Sequence, residues 1–148
     1  MNDKLRIIGI ASDHAGFELK QTIKKYLDEK DYQVVDFGTN SLESMDYPDV
    51  IHPLCKSIEN KKIDIGIIMC GSGNGVNITA NKYPYIRSAL CWLPEISALS
   101  KQHNNANIIA LPARFLSNEL AINIVDSYLS SDFEGGRHQR RVEKITDM

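Results

Sequence analysis

No apolar run in this 148-residue chain approaches the ~20 residues that a helix needs to cross a bilayer, so a helical membrane span is not expected. Cysteine is scarce. Cys55, Cys70 and Cys91 are odd in number and widely spaced, which excludes a disulfide framework and a paired zinc motif. In a reducing compartment they are free thiols. Excess charge is missing too. Seventeen Lys and Arg against 19 Asp and Glu leave a net charge of −2, with no bulk basic signal for nucleic acid or anionic lipid. Met1-Asn2-Asp3-Lys4 leads straight into an apolar run without a signal-peptide layout, and the expected compartment is the cytoplasm. There is no internal repeat, low-complexity segment or linker, so residues 1–148 are expected to form one domain.

What is present is an alternation. Short β-branched apolar runs predict strands at Leu5–Ala11, Val34–Phe37, Ile65–Met69, Ile86–Cys91 and Ile108–Leu111. Between them lie helical patterns over Phe17–Asp28, from Asp49 through Ile58, a short one ending at Ala80, Glu95–Gln102, and Ser117–Leu129 with Ser117 as N-cap. A last helix follows Gly135-Gly136 and runs toward Ile145. Strands that are apolar throughout suit a parallel sheet covered on both faces, and the order predicts a doubly wound α/β sandwich with five strands.

In such a sheet, ligands bind beyond the carboxyl ends of the strands. Strand one delivers Asp13 and His14 there, strand three Cys70, and strand five Arg114, with Asp46 and Tyr47 from the loop after strand two. The helix after strand four ends near His103-Asn104, and several of these segments are expected on one rim. Cys70-Gly71-Ser72-Gly73-Asn74-Gly75 is the strongest local signal. Alternating glycines let successive N–H groups face one concavity, suited to a phosphate or a developing oxyanion, although a tight strand-to-helix turn also needs glycine. Val76 stands where a dinucleotide fingerprint needs its third glycine, and no Lys-Ser/Thr ending makes a P-loop. Amides and a helix start beside Cys70 favour a thiolate, able to act as nucleophile or proton acceptor. Cys55 and Cys91 read as small buried hydrophobes. His14 and His103 are candidates for proton transfer or anion contact. His14, His103 and His138 lack any metal-ligand spacing, so no metal is expected. Arg137, Arg140 and Arg141 form a basic cluster that suits phosphate, or simply a solvated face.

Ser-Asp-His-Ala-Gly-Phe at 12–17, Asp-Tyr-Pro at 46–48, the 70–75 turn, Ala-Asn-Lys at 80–82, Gln-His-Asn at 102–104 and Gly-Gly-Arg-His-Gln-Arg-Arg-Val at 135–142 run nearly end to end. Together they resemble the type B ribose-5-phosphate isomerases, a family that also holds galactose-6-phosphate isomerase subunits. The resemblance implies a Rossmann-like three-layer sandwich with a five-stranded parallel sheet. It implies interconversion of ribose 5-phosphate and ribulose 5-phosphate, part of pentose phosphate metabolism, without a cofactor. Cys70 matches the base working between C2 and C1. His103 matches the residue that opens the furanose ring, with Asp13 near the sugar hydroxyls. Gly71, Ser72, Gly73, Asn74 and Gly75 match the nest for the enediolate, with the Ser72 hydroxyl as a proton donor. Asn104 matches a sugar contact and Tyr47 a residue lining the sugar end. His14, Arg114, Arg137 and Arg141 match the phosphate-binding set, and Arg140 faces solvent. The implied partner, besides a small phosphorylated sugar, is a second copy of the chain. A homodimer or homotetramer with sites at the subunit interface is expected.

Two departures bear on this. Many members carry threonine where this chain has Ser72, and losing that methyl leaves room for a six-carbon sugar phosphate. Another branch lacks the cysteine and places a glutamate base where this chain has Val76, which takes no proton. The other readings are an allose- or galactose-6-phosphate isomerase, a phosphate-ligand binding module without turnover, and a cysteine hydrolase using Cys70 and His103.

Overall fold

The computed structural model describes residues 6–148. In chain order the elements are β1 (Ile7–Ser12), α1 (Phe17–Glu29), β2 (Gln33–Asp36), α2 (Pro48–Glu59), β3 (Ile65–Cys70), α3 (Asn74–Ala80), β4 (Ser88–Leu90), α4 (Pro94–Gln102), β5 (Ile108–Pro112), α5 (Asn118–Leu129) and α6 (Arg137–Glu143). Leu5, expected to begin the first strand, and Met1–Lys4 lie outside the described residues. Ser117 caps α5, its hydroxyl accepting the Leu120 N–H at 3.1 Å. No helix among the described residues is long and apolar enough to cross a membrane.

All strand pairs are parallel, in the order β2-β1-β3-β5-β4. The chain steps from β1 outward to β2 and then returns to the other side of β1, which puts the switch point between β1 and β3. Strand alternation sends Ile8, Ile10, Ile67, Met69, Ile109 and Leu111 to one face, against Leu19, Ile23 and Leu27 of α1 and Ile124, Val125 and Tyr128 of α5. Ala11, Ile68, Cys70, Ile108 and Ala110 face the other way, toward Ile51 and Leu54 of α2 and Val76 of α3. The result is three layers, with apolar contact on both sheet faces as the continuous runs require.

The expected strand over 86–91 is shorter. The Arg87 N–H donates to the Asn107 side-chain oxygen at 2.8 Å, and the Ile86 N–H closes a turn onto Tyr83. These bonds take the groups that would have begun the ladder, so regular pairing runs only from Ser88 to Leu90.

One buried ion pair ties β2 to α1. The fully buried Lys20 ammonium donates to both Asp36 carboxylate oxygens at 2.8 and 2.7 Å, and the Gly38 N–H donates to Oδ1 at 2.8 Å. Burial opposes ionisation of Asp36, but Lys20, the Gly38 N–H and Lys24 outweigh it and hold the carboxyl below its usual range. Removing one partner strands the other charge. Asp36→Ala is therefore expected to cost about 3 kcal/mol of stability at neutral pH, measured by chemical denaturation. A carboxyl whose pKa is depressed by folding stabilises above its unfolded value and loses that contribution as pH falls through the folded one. The gap between wild type and Asp36→Ala should thus narrow below about pH 4.

Candidate active site

The carboxyl ends of β1, β3 and β5 frame a cavity of ≈ 770 Å³ whose wall includes Asp13, His14, Tyr47, Cys70, Gly71, Ser72, Gly75 and Arg114. Each is held there by local bonds. The Asp13 N–H donates to the Met69 carbonyl at 3.3 Å, and its carboxylate accepts the Gly16 N–H at 3.1 Å, so the acid is pinned between β3 and the turn that starts α1. Nδ1 of His14 accepts the Met45 N–H at 3.3 Å. The neutral ring then carries its proton on Nε2, the nitrogen left to donate. The Arg114 N–H donates to the Gly71 carbonyl at 3.0 Å, and its guanidinium lies over the α-carbon of Gly71, Nη1 being 3.1 Å from where a β-carbon would sit.

Cys70 ends β3 with 5 % of its surface exposed, in the cavity wall. The other two thiols are different. Burial pushes Cys55 up to about 12 and Cys91 up to about 11, so both remain protonated at neutral pH. The turn after Cys70 uses its glycines for two distinct reasons. Gly73 has φ +76°, which a side chain disfavours. Gly75 lies directly under the Tyr47 ring, and a methyl there would collide with Cζ and both Cε atoms. Ser72 is exposed, and its hydroxyl accepts the Asn74 N–H at 3.2 Å.

The remaining sequence candidates are elsewhere. His103 follows α4 and precedes β5, which puts it at the amino ends of the strands, across the sheet from the cavity. The expectation of one shared rim is thus met by the β1, β3 and β5 residues and not by His103 and Asn104 within one chain. The physical reason is directional. In a parallel sheet every helix-to-strand loop returns to the amino edge. The His103 N–H donates to the Leu99 carbonyl at 2.8 Å, and Arg87 Nε donates to the carbonyls of Asn104 and Asn105 at 3.1 and 3.0 Å. Asn104 lines a second cavity of ≈ 590 Å³, together with Arg87, Ala106 and Ile145. Arg137, Arg140 and Arg141 are exposed on α6.

His103 has two neighbours on the C-terminal segment. Its ring stacks on His138, with centroids 4.2 Å apart and planes within 10°. Oε1 of Glu134 lies 3.8 Å from Nε2 of His103 and 3.7 Å from Nε2 of His138. Glu134 is a residue the sequence reading missed; its i,i+4 spacing to His138 was the available signal. The three donor atoms lie within 4.8 Å of one another. Yet an ion must lie near the plane of each imidazole it binds, and two parallel rings 4.2 Å apart have no such common point. Holding a metal there would require one ring to turn.

The model of the ribose/galactose isomerase family matches residues 8–145. The chain belongs to this family. It is 42% identical to ribose-5-phosphate isomerase B of Escherichia coli over 96% of this chain and 95% of that protein. The crystal structure of a ribose 5-phosphate isomerase from Thermotoga maritima superposes with a TM-score of 0.95 at 50% identity, covering 97% of this chain and 99% of that one. The Mycoplasma genitalium ribose-5-phosphate isomerase B, solved with bound ribulose 5-phosphate, gives 0.91 at 43% identity, covering 95% of this chain and 94% of that one.

Against this isomerase fold, the motif stretches divide. Those at 12–17, 46–48 and 70–75 contribute to the cavity wall. Those at 102–104 and 135–142 meet at the His103–His138 stack. The stretch at 80–82 does something structural. The Asn81 side chain donates to the Ser88 carbonyl and accepts the Ser88 N–H, both at 2.9 Å, which clamps β4 to the end of α3. Val76, where a branch of the isomerases places a glutamate, is fully buried in the core beneath α3.

Proposed function

We propose that this chain is an aldose–ketose isomerase that interconverts D-ribose 5-phosphate and D-ribulose 5-phosphate through an enediolate, with Cys70 as the base. The observation that carries the reading is the single cavity in which Cys70 stands beside Asp13, Ser72 and Arg114. The named activities of its relatives, and the ribulose 5-phosphate bound in one of them, supply the substrate class.

The reaction begins with ring opening. His103 takes the proton of the C1 hydroxyl and returns it to the ring oxygen as the C1–O4 bond breaks, while Asp13 and Asn104 hold sugar hydroxyls. The Cys70 thiolate then removes the C2 proton. The electron pair shifts to the carbonyl oxygen, and the amides of residues 71–75 stabilise the charge that appears there. Ser72 passes a proton between O1 and O2, and Cys70 delivers its proton to C1. His14, Arg114, Arg137 and Arg141 anchor the phosphate, with Tyr47 closing the sugar end. Binding energy at the phosphate keeps C1 and C2 within reach of the thiol.

The working unit in this reading is a homodimer or homotetramer in the cytoplasm. His103, Asn104 and the α6 arginines lie away from their own chain's cavity, so a second copy would supply them. No metal has a role in these steps.

The test is turnover. After treatment with chelator, the purified protein should convert ribose 5-phosphate to ribulose 5-phosphate, assayed beside allose 6-phosphate and galactose 6-phosphate. Faster turnover of a six-carbon sugar would keep the chemistry and change the substrate, as the smaller Ser72 allows. Binding without turnover of any sugar phosphate would leave a phosphate-binding module, and acyl-enzyme formation with activated esters a cysteine hydrolase.

A further inference from the structure

Helix α6 is seven residues long, and the single side chain it buries is His138, 7 % exposed; Arg137, Gln139, Arg140 and Arg141 are all exposed. A surface helix ordinarily docks through an apolar stripe. This one docks through an imidazole laid flat on His103. The approach is set by backbone. The Glu134 N–H donates to the Gln102 carbonyl at 3.0 Å, beside His103, and Gly135 and Gly136, at φ +67° and +56°, reverse the chain into α6. The Glu134 carboxylate is thereby placed against the Nε2 edges of both rings. Nε2 of His138 is buried and has no hydrogen-bond partner among the described residues, Oε1 of Glu134 at 3.7 Å being beyond hydrogen-bond reach. A buried polar atom without a partner is costly, and its retention calls for a reason.

We propose that Glu134 and His138 are positioning residues for His103, the carboxylate fixing which nitrogen His103 presents to the sugar and the stacked ring fixing its plane. The inference rests on the reading of His103 as the ring-opening residue and deepens it. With a carboxylate 3.8 Å from Nε2, a neutral His103 ring keeps its proton on that nitrogen by electrostatic attraction and offers Nδ1 to the C1 hydroxyl. A carboxylate behind an imidazole selects its tautomer in this way. His138 supports the arrangement by remaining neutral. Burial, the His103 ring and the Arg137 guanidinium hold it below the usual imidazole range, against the pull of Glu134.

Ring opening is separable from isomerisation. In Cys70→Ala the carbon-to-carbon proton transfer stops, but opening and reclosing of the furanose still exchange its α and β anomers. That exchange is read by NMR exchange spectroscopy on ribose 5-phosphate. The single variant is expected to exchange the anomers faster than buffer, and Cys70→Ala/His103→Ala to lose the effect. Adding Glu134→Gln or His138→Phe to Cys70→Ala should slow exchange by about 10- to 100-fold, with ribose 5-phosphate binding unchanged. The ¹⁵N resonances of the His103 ring should report an altered tautomer in Glu134→Gln. If exchange is lost with His103→Ala but survives both Glu134→Gln and His138→Phe, the inference is overturned and the ring-opening reading stands. Slower exchange with an unaltered His103 tautomer overturns it as well. If exchange survives His103→Ala, or never exceeds buffer in a Cys70→Ala protein that binds the sugar, both fall.

Discussion

Cys70→Ala is expected to lower kcat for ribose 5-phosphate by about 10²–10⁴-fold, the usual worth of a positioned base, with KM little changed. Cys55→Ala and Cys91→Ala should leave kcat at the wild-type level. The contrast follows from where the three thiols sit. Cys55 and Cys91 are fully buried, and burial pushes them to about 12 and 11, so neither supplies a thiolate at neutral pH. Cys70 closes a strand at the cavity wall, followed by a glycine turn that lines the same cavity. Cys70→Ser sharpens the test, because a hydroxyl matches the thiol in shape and cannot ionise near neutral pH. Steady-state kinetics of the four variants decide the matter. A Cys70→Ala enzyme within tenfold of wild type would move the base to Asp13, His14 or Asp46, whose carboxylates and imidazole line the same cavity.

The second large effect is a recovery. Cys70→Ala and His103→Ala are each expected to be nearly inactive alone. Unfolded together and refolded as a mixture, they should regain activity. His103 stands at the amino ends of the strands and Cys70 at a carboxyl end, so one chain does not close a site around both. In a two-fold dimer whose sites draw Cys70 from one chain and His103 from the other, a mixed dimer has one site with both defects and one with none. Random pairing then restores about a quarter of wild-type sites. Activity titrated against mixing ratio, with each variant refolded alone as control, reads this directly. A mixture as dead as its components would require both residues to act from the same chain.

Much of this was legible in the residues because it depends on short-range rules. A strand apolar throughout and ending in Cys70, followed by alternating glycines, specifies a buried parallel strand and a turn at its end whatever surrounds it. Ser117 before a helical pattern specifies a cap for the same reason. Other features were not legible because they need a partner distant in sequence. Nothing near Gly75 says that a tyrosine 28 positions earlier will lie over it. Nothing near Asn107 says that its side chain will take the Arg87 N–H and shorten β4. Glu134 reads as one more surface acid until the Gly135-Gly136 reversal folds His138 back onto His103.

By itself the sequence determined the alternation of elements, the apolar faces and the chemical inventory, since hydrophobic period and turn chemistry act over a few residues. It also carried the family, because six motif stretches spaced along the chain agree at once. Only the tertiary structure decided how that inventory divides. The return path of every helix-to-strand loop sends His103 and Asn104 to one rim, while the strand ends carry Asp13, Cys70 and Arg114 to the other. That division comes from the direction of a parallel sheet, a property of the assembled strands that no local stretch of residues contains.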